Sequence, residues 1–91
     1  MEKTEKLKEL YQVIMQLDSE EACEALLTDL CTRKELTNMA ERIHAAKLLM
    51  EGKTYTQVIA ETNISSATLS RVSQCVQYGK GYSAVLKTTK E

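Results

Sequence analysis

The sequence predicts an all-α fold of six helices, and three observations carry that prediction. The 91 residues include no proline and only three glycines, so little interrupts regular helix. Apolar residues recur three and four apart through most of the chain, the period of a helix with one buried face. Residues that cap helices well (Ser19, Thr32, Thr54 and Ser65) stand just ahead of those stripes. The length is that of one domain, 1–91, with a thin core, and intertwining with a second copy would add to its stability.

The first helix is expected over residues 4–17, where Leu7, Leu10, Tyr11, Ile14 and Leu17 form a stripe and the charged residues lie off it. Asp18 and Ser19 end it and begin the second, with Glu20 and Glu21 in a first turn that favours negative charge. Cys23, Leu26, Leu27, Leu30 and Cys31 make the second stripe. Both helices read as core or dimer contacts. Thr32 opens the third and longest, because Thr32-Arg33-Lys34-Glu35 has the capping-box pattern and Gly52 supplies a stop. Its buried side is expected to hold Leu36, Met39, Ala40, Ile43, Ala46, Leu49 and Met50, with Ala45 and Leu48 widening the apolar face.

The stretch from about 54 to 79 reads as a helix-turn-helix. Thr54 and Gln57 form a capping box, and Val58 and Thr62 face inward. Asn63 takes the turn as a residue that tolerates left-handed backbone angles, Ile64 plugs it from inside, and Ser65 caps the next helix. Leu69, Val72 and Val76 make its buried stripe, while Ser66, Ala67, Ser70, Gln74 and Gln77 lie opposite, with Arg71 at the border. Small and amide side chains let a helix sink into the major groove and reach base edges. An ordinary helical hairpin would also carry a polar outer face. The turn length, the inward positions on either side of it and the phrase SSATLSRV favour the DNA-binding reading, whereas Ile59 stands where such motifs want a small residue. Beyond it, Gly79-Lys80-Gly81 is a hinge, and a short helix over 82–90 is expected to turn Val85 and Leu86 inward.

The net charge is −1, unevenly spread. Residues 1–29 hold eight acids and three bases, residues 30–91 nine bases and five acids, and no acid lies between Thr62 and Lys90. A basic face on a neutral whole suits modest, salt-sensitive phosphate binding rather than tight coating of DNA. Cys23, Cys31 and Cys75 form no CxxC pair and fall at apolar positions, so three buried, reduced thiols are expected. His44 stands alone, which argues against a metal site. With no glycine-rich phosphate loop and no Ser/His/Asp or Cys/His set, an enzyme is not expected. No apolar run approaches the roughly 20 residues of a membrane span, and no signal peptide is seen, so the expected setting is cytoplasmic and nucleoid-associated, with no membrane partner.

The helix order and the phrases DLCTRKEL, ERI, LLMEGKTYTQV, ATLSRV and CVQYG resemble the Trp-repressor superfamily, in particular its YerC/YecD-type, Trp-repressor-like branch. The resemblance covers about half the chain strongly and nearly all of it by helix order. It implies a six-helix, interlocked homodimer whose recognition helices lie about one DNA turn apart, and sequence-specific repression at a palindromic operator. In the founding member, tryptophan sits as corepressor between the long helix and the recognition helix, and Thr32, Arg42 and Arg71 match positions facing it. Two guanidinium groups and a threonine can hold a carboxylate. Equally, Thr32 serves as a helix cap, Arg42 can pair with a neighbouring acid, and Arg71 can contact phosphate. Val72 replaces a glycine that makes room for the indole, and Cys75 replaces a serine that helps hold the amino group. A branched side chain there is expected to fill the cavity, so the effector pocket of Thr32, Arg42, Arg71, Val72 and Cys75 points to a corepressor other than tryptophan, or to none. Thr56 and Ile59 stand where the founding member has basic residues, which implies fewer phosphate contacts.

The leading reading is a dimeric bacterial transcription regulator, a repressor by resemblance, with duplex DNA as partner and no resident cofactor. Ser65 caps the recognition helix, Ser66, Ala67, Ser70 and Gln74 meet base edges, and Thr68, Arg71 and Lys80 meet phosphates. The alternative is a helical dimeric adaptor that acts through protein contacts and binds DNA weakly.

Overall fold

In the computed structural model, residues 2–86 are described, and they form six α-helices with no strand among them. These are α1 (Lys3–Ile14), α2 (Glu20–Leu30), α3 (Arg33–Met50), α4 (Tyr55–Glu61), α5 (Ser66–Tyr78) and α6 (Gly81–Val85). The chain divides between Arg33 and Lys34 into two compact units, where its length predicts one domain.

In the first unit, α1 starts one residue earlier than the stripe predicts, with the Glu5 carboxylate accepting the Glu2 N–H at 3.1 Å. It also stops earlier. The N–H groups of Gln16 and Leu17 donate to the carbonyls of Val13 and Ile14, a tightened exit turn that takes Leu17 out of the helix. Ser19 caps α2 as expected, its hydroxyl accepting the Ala22 N–H at 3.0 Å. Neither helix buries a residue in the single chain, and Leu7, Tyr11, Ile14 and Leu30 are exposed.

The second unit is built on α3. Gly52 ends it with φ +94, the one positive φ among the described residues. The Lys53 N–H reaches back to the Leu48 carbonyl, which also accepts the Glu51 N–H, and the Gly52 N–H to that of Leu49, so the last carbonyls of the helix are satisfied. A core of Ala45 and Leu48 from α3, Val58 from α4 and Leu69 from α5 follows, with Leu49 and Ile64 packed against it. This rotates the buried face of α3 from its predicted position. Ala45, Ala46 and Leu48 are buried, whereas Ala40 and Ile43 are exposed. Helices α4 and α5 approach α3 near its C-terminal end, so the buried seam is set by those neighbours and not by the widest apolar stripe.

Three further expectations are corrected. Asn63 does not adopt a left-handed angle, because the chain between α4 and α5 runs through extended backbone at Thr62 (φ −130, ψ 173) and Ser65 (φ −75, ψ 163). The cysteines are free but half-buried rather than buried, the core being too thin to cover them. Val85 is 78 % exposed because α6 is a single short helix with only its Tyr82 and Leu86 side half-buried; the rest of the 82–90 expectation lies outside the described residues.

Gly79 ends α5 where a side chain has no room. Its N–H donates to the Cys75 carbonyl at 2.8 Å, and a Cβ would lie 2.6 Å from that same oxygen, whereas a Cβ at Gly81 meets nothing. Gly79→Ala is expected to lower stability by about 1–3 kcal/mol. Gly81→Ala should change it by less than about 1 kcal/mol, a contrast readable in urea titrations of the two variants.

Candidate nucleic-acid interface

Helix α5 is held by its two ends and one face. At the N-terminus the Ser65 hydroxyl accepts the Thr68 N–H at 3.1 Å and also lies 3.1 Å from the Thr68 hydroxyl, to which it donates. On the inner face Leu69 and Val72 are 0 % and 1 % exposed. Ser73 is buried beside them, which the apolar pattern alone did not mark, and no buried side-chain polar atom among the described residues lacks a partner. Helix α4 is fixed the same way. Thr54 accepts the Gln57 N–H at 3.2 Å while Gln57 accepts the Thr54 N–H at 2.8 Å, the reciprocal cap the sequence predicts. Val58 is fully buried, Thr62 closes the last turn by donating to the Val58 carbonyl at 2.8 Å, and Ile64 packs on the core. Ile59, where a small residue was expected, is exposed rather than part of this core.

With the inner face locked, the outer one is decided. Ser66, Ala67, Ser70, Arg71, Gln74 and Gln77 are all exposed, and so is Lys80 just past the helix. Hydroxyls and amides both donate and accept, the chemistry that base edges require, and Ala67 offers a methyl-sized apolar contact. Thr68, expected to meet phosphate, lies at the start of the helix. It is half-buried and its hydroxyl accepts from Ser65, so it supports the cap.

A groove of about 520 Å³ runs beside this face, lined by Arg42 of α3, Thr68, Arg71, Val72 and Cys75 of α5, and Tyr82 of α6. Ala67 lies at its rim, so groove and outer face share a residue. Four of the five residues expected to form an effector pocket, Arg42, Arg71, Val72 and Cys75, therefore line one groove. Val72 was expected to fill this space. It is buried and forms part of the floor, but open volume remains above it. Tyr82 is a lining residue that the sequence reading did not name. No group of three or more His, Cys, Asp or Glu side chains that could hold a metal ion occurs among the described residues.

The six helices in this order define a Trp-repressor-like, all-α fold. The chain belongs to the Trp repressor protein family, whose pattern matches residues 5–90. It is 40 % identical over 86 residues to the uncharacterized protein YerC of Bacillus subtilis strain 168, covering 93 % of this chain and 83 % of that one. The crystal structure of a TrpR-like protein from Eubacterium eligens superposes with a TM-score of 0.85 at 34 % identity, over 91 % of this chain and 87 % of the other. A structure from Staphylococcus aureus superposes with a TM-score of 0.83, also at 34 % identity, over 94 % and 92 %. The family is one of regulators and not of enzymes.

Both caps are exposed and local, so their loss should be measurable without collapse of the core. Thr54→Ala and Ser65→Ala are each expected to lower unfolding free energy by about 1 kcal/mol in denaturant titrations.

Proposed function

We propose that this chain is a sequence-specific DNA-binding regulator that acts as an interlocked homodimer and reads duplex DNA with α5, the second helix of a helix-turn-helix formed by α4 and α5. One observation carries the reading: a capped, 13-residue helix that buries Leu69 and Val72 presents small hydroxyl, methyl and amide groups on its outer face. Ser66, Ala67, Ser70 and Gln74 reach base edges in the major groove, and Arg71 and Lys80 neutralise phosphates. With so few cations, affinity is modest and its salt dependence shallow. Membership of a repressor family supports repression at a palindrome, which a two-fold dimer would mirror. The dimer is supported by apolar side chains that the single chain leaves open to water, among them Tyr11 at 58 % and Leu30 at 55 %. Such a protein works on the nucleoid, in the cytoplasm; no helix among the described residues is long and apolar enough to cross a membrane.

Selection of bound sequences from a random duplex pool, with the assembly mass measured in parallel, tests this reading. A palindrome should be enriched by a dimer, and Ser70→Glu should abolish that binding while the dimer stays folded, because a carboxylate in the groove meets acceptor-rich edges and nearby phosphates. A clean dimer that enriches nothing would favour an adaptor acting through protein contacts, a role for which the acid-rich first 29 residues would suit basic partners.

The groove beside α5 is proposed to take a small anionic effector, with Arg42 and Arg71 as its carboxylate clamp. Val72 takes up room at the floor that a glycine would leave to an indole ring. Tryptophan at millimolar concentration is therefore expected to leave DNA affinity unchanged in a binding titration.

A further inference from the structure

The connection between α4 and α5 contains no left-handed residue. Its two ends are secured locally, by the Thr62 hydroxyl on the Val58 carbonyl and by the Ser65 cap. Between them the Asn63 N–H donates to the Glu41 carboxylate of α3 at 3.3 Å, across 22 positions of sequence. Glu41 is half-buried, at the edge of a polar cleft of about 220 Å³ that Thr37, Asn38 and Arg42 share with Asn63 and Ser65. The bond is long and reached by water, so its contribution to stability is small. Its geometric effect is larger. Asn63 is two residues ahead of the cap, and the side chains proposed to read bases run from Ser66 to Gln74, about 13 Å along the helix from Ser65. Hydrogen bonds to base edges weaken steeply outside a window of about half an ångström, so a small drift at the start of α5 spreads over that whole row.

We infer that Glu41 is a positioning residue for DNA recognition: by accepting the Asn63 N–H it pins the α4–α5 connection to α3 and sets the pose of the recognition helix. This rests on the proposed DNA-reading role. The part played by Glu41 is that of an acceptor and not of a charge, since a carboxylate beside DNA works against phosphate.

Glu41→Ala and Glu41→Gln, assayed on the duplex enriched by the unaltered protein and on a scrambled duplex, separate these effects. Glu41→Ala should lose about two- to threefold in affinity for the enriched duplex, the low end of what one hydrogen bond is worth, with little change on the scrambled one. It should also speed hydrogen exchange at the Asn63 amide. Glu41→Gln, which keeps the acceptor, should restore both to near the starting values. The role is overturned if Glu41→Ala binds the enriched duplex normally, if it weakens both duplexes alike, or if Gln falls as far as Ala. Tighter binding by both variants would also overturn it, as it would show charge repulsion instead. If the unaltered protein enriches no sequence, the DNA-reading role fails and this one with it; an enriched sequence with an indifferent Glu41→Ala removes this one alone.

Discussion

The packing of Leu69 against Val58, Ala45 and Leu48 is the contact on which the described surface depends. Leu69 and Val58 are both fully buried and pack with Ala45 and Leu48 of α3, while Ala46 and Val72 add to the dry interior of the second unit. Side chains of the size of Leu69 and Val58 are worth about 1.5–3 kcal/mol each when taken out of water. A core this small has little redundancy to absorb a loss. Because Leu69 lies on the inside of α5, burying it also decides which residues of that helix face outward. The polar row of Ser66, Ser70 and Gln74 is thus a consequence of one apolar anchor and the helical period.

The rest of the molecule economises on apolar burial and relies on hydrogen-bonded ends. Ser19, Thr54 and Ser65 each satisfy a helix N-terminus, and Gly52 closes α3 through backbone bonds alone. Such local closures keep short helices such as α4 in register when isolated helices of that length would not persist in water. They leave the apolar stripes of α1 and α2 without a buried residue in one chain, which is the physical ground for the proposed homodimer, in which a second copy would cover them.

The groove shows how function and packing share residues. Val72 belongs at once to the sealed side of α5 and to the groove floor, while Arg71, its neighbour in sequence, stands exposed between groove and outer face. An effector seated there would touch α3, α5 and α6 together. Anything that changes how those helices meet would then reach the outer row of α5 directly, with no longer path required. Arg42, Arg71, Val72 and Cys75, grouped by the family resemblance, line one groove, but Tyr82 entered only with the fold, because its place in the sequence gives no sign of which cavity it borders.

The sequence by itself determined what depends on near neighbours. Helix order, the caps at Ser19, Thr54 and Ser65, the stop at Gly52, and the split of α5 into an apolar and a polar face all follow from residues within about one or two turns of each other. Family membership was legible for the same reason, since its phrases are short and contiguous. The tertiary structure decided the rest. It chose Ala45 and Leu48 over Ala40 and Ile43 as the buried side of α3, because a helix apolar around much of its circumference is oriented only by what packs on it. It gave the Asn63 N–H an acceptor 22 residues away and so removed the need for a left-handed turn. It left Val85 in water and kept the groove open above Val72. Each of these is a relation between segments far apart in the chain, and periodicity along one helix carries no information about the direction from which the next will come.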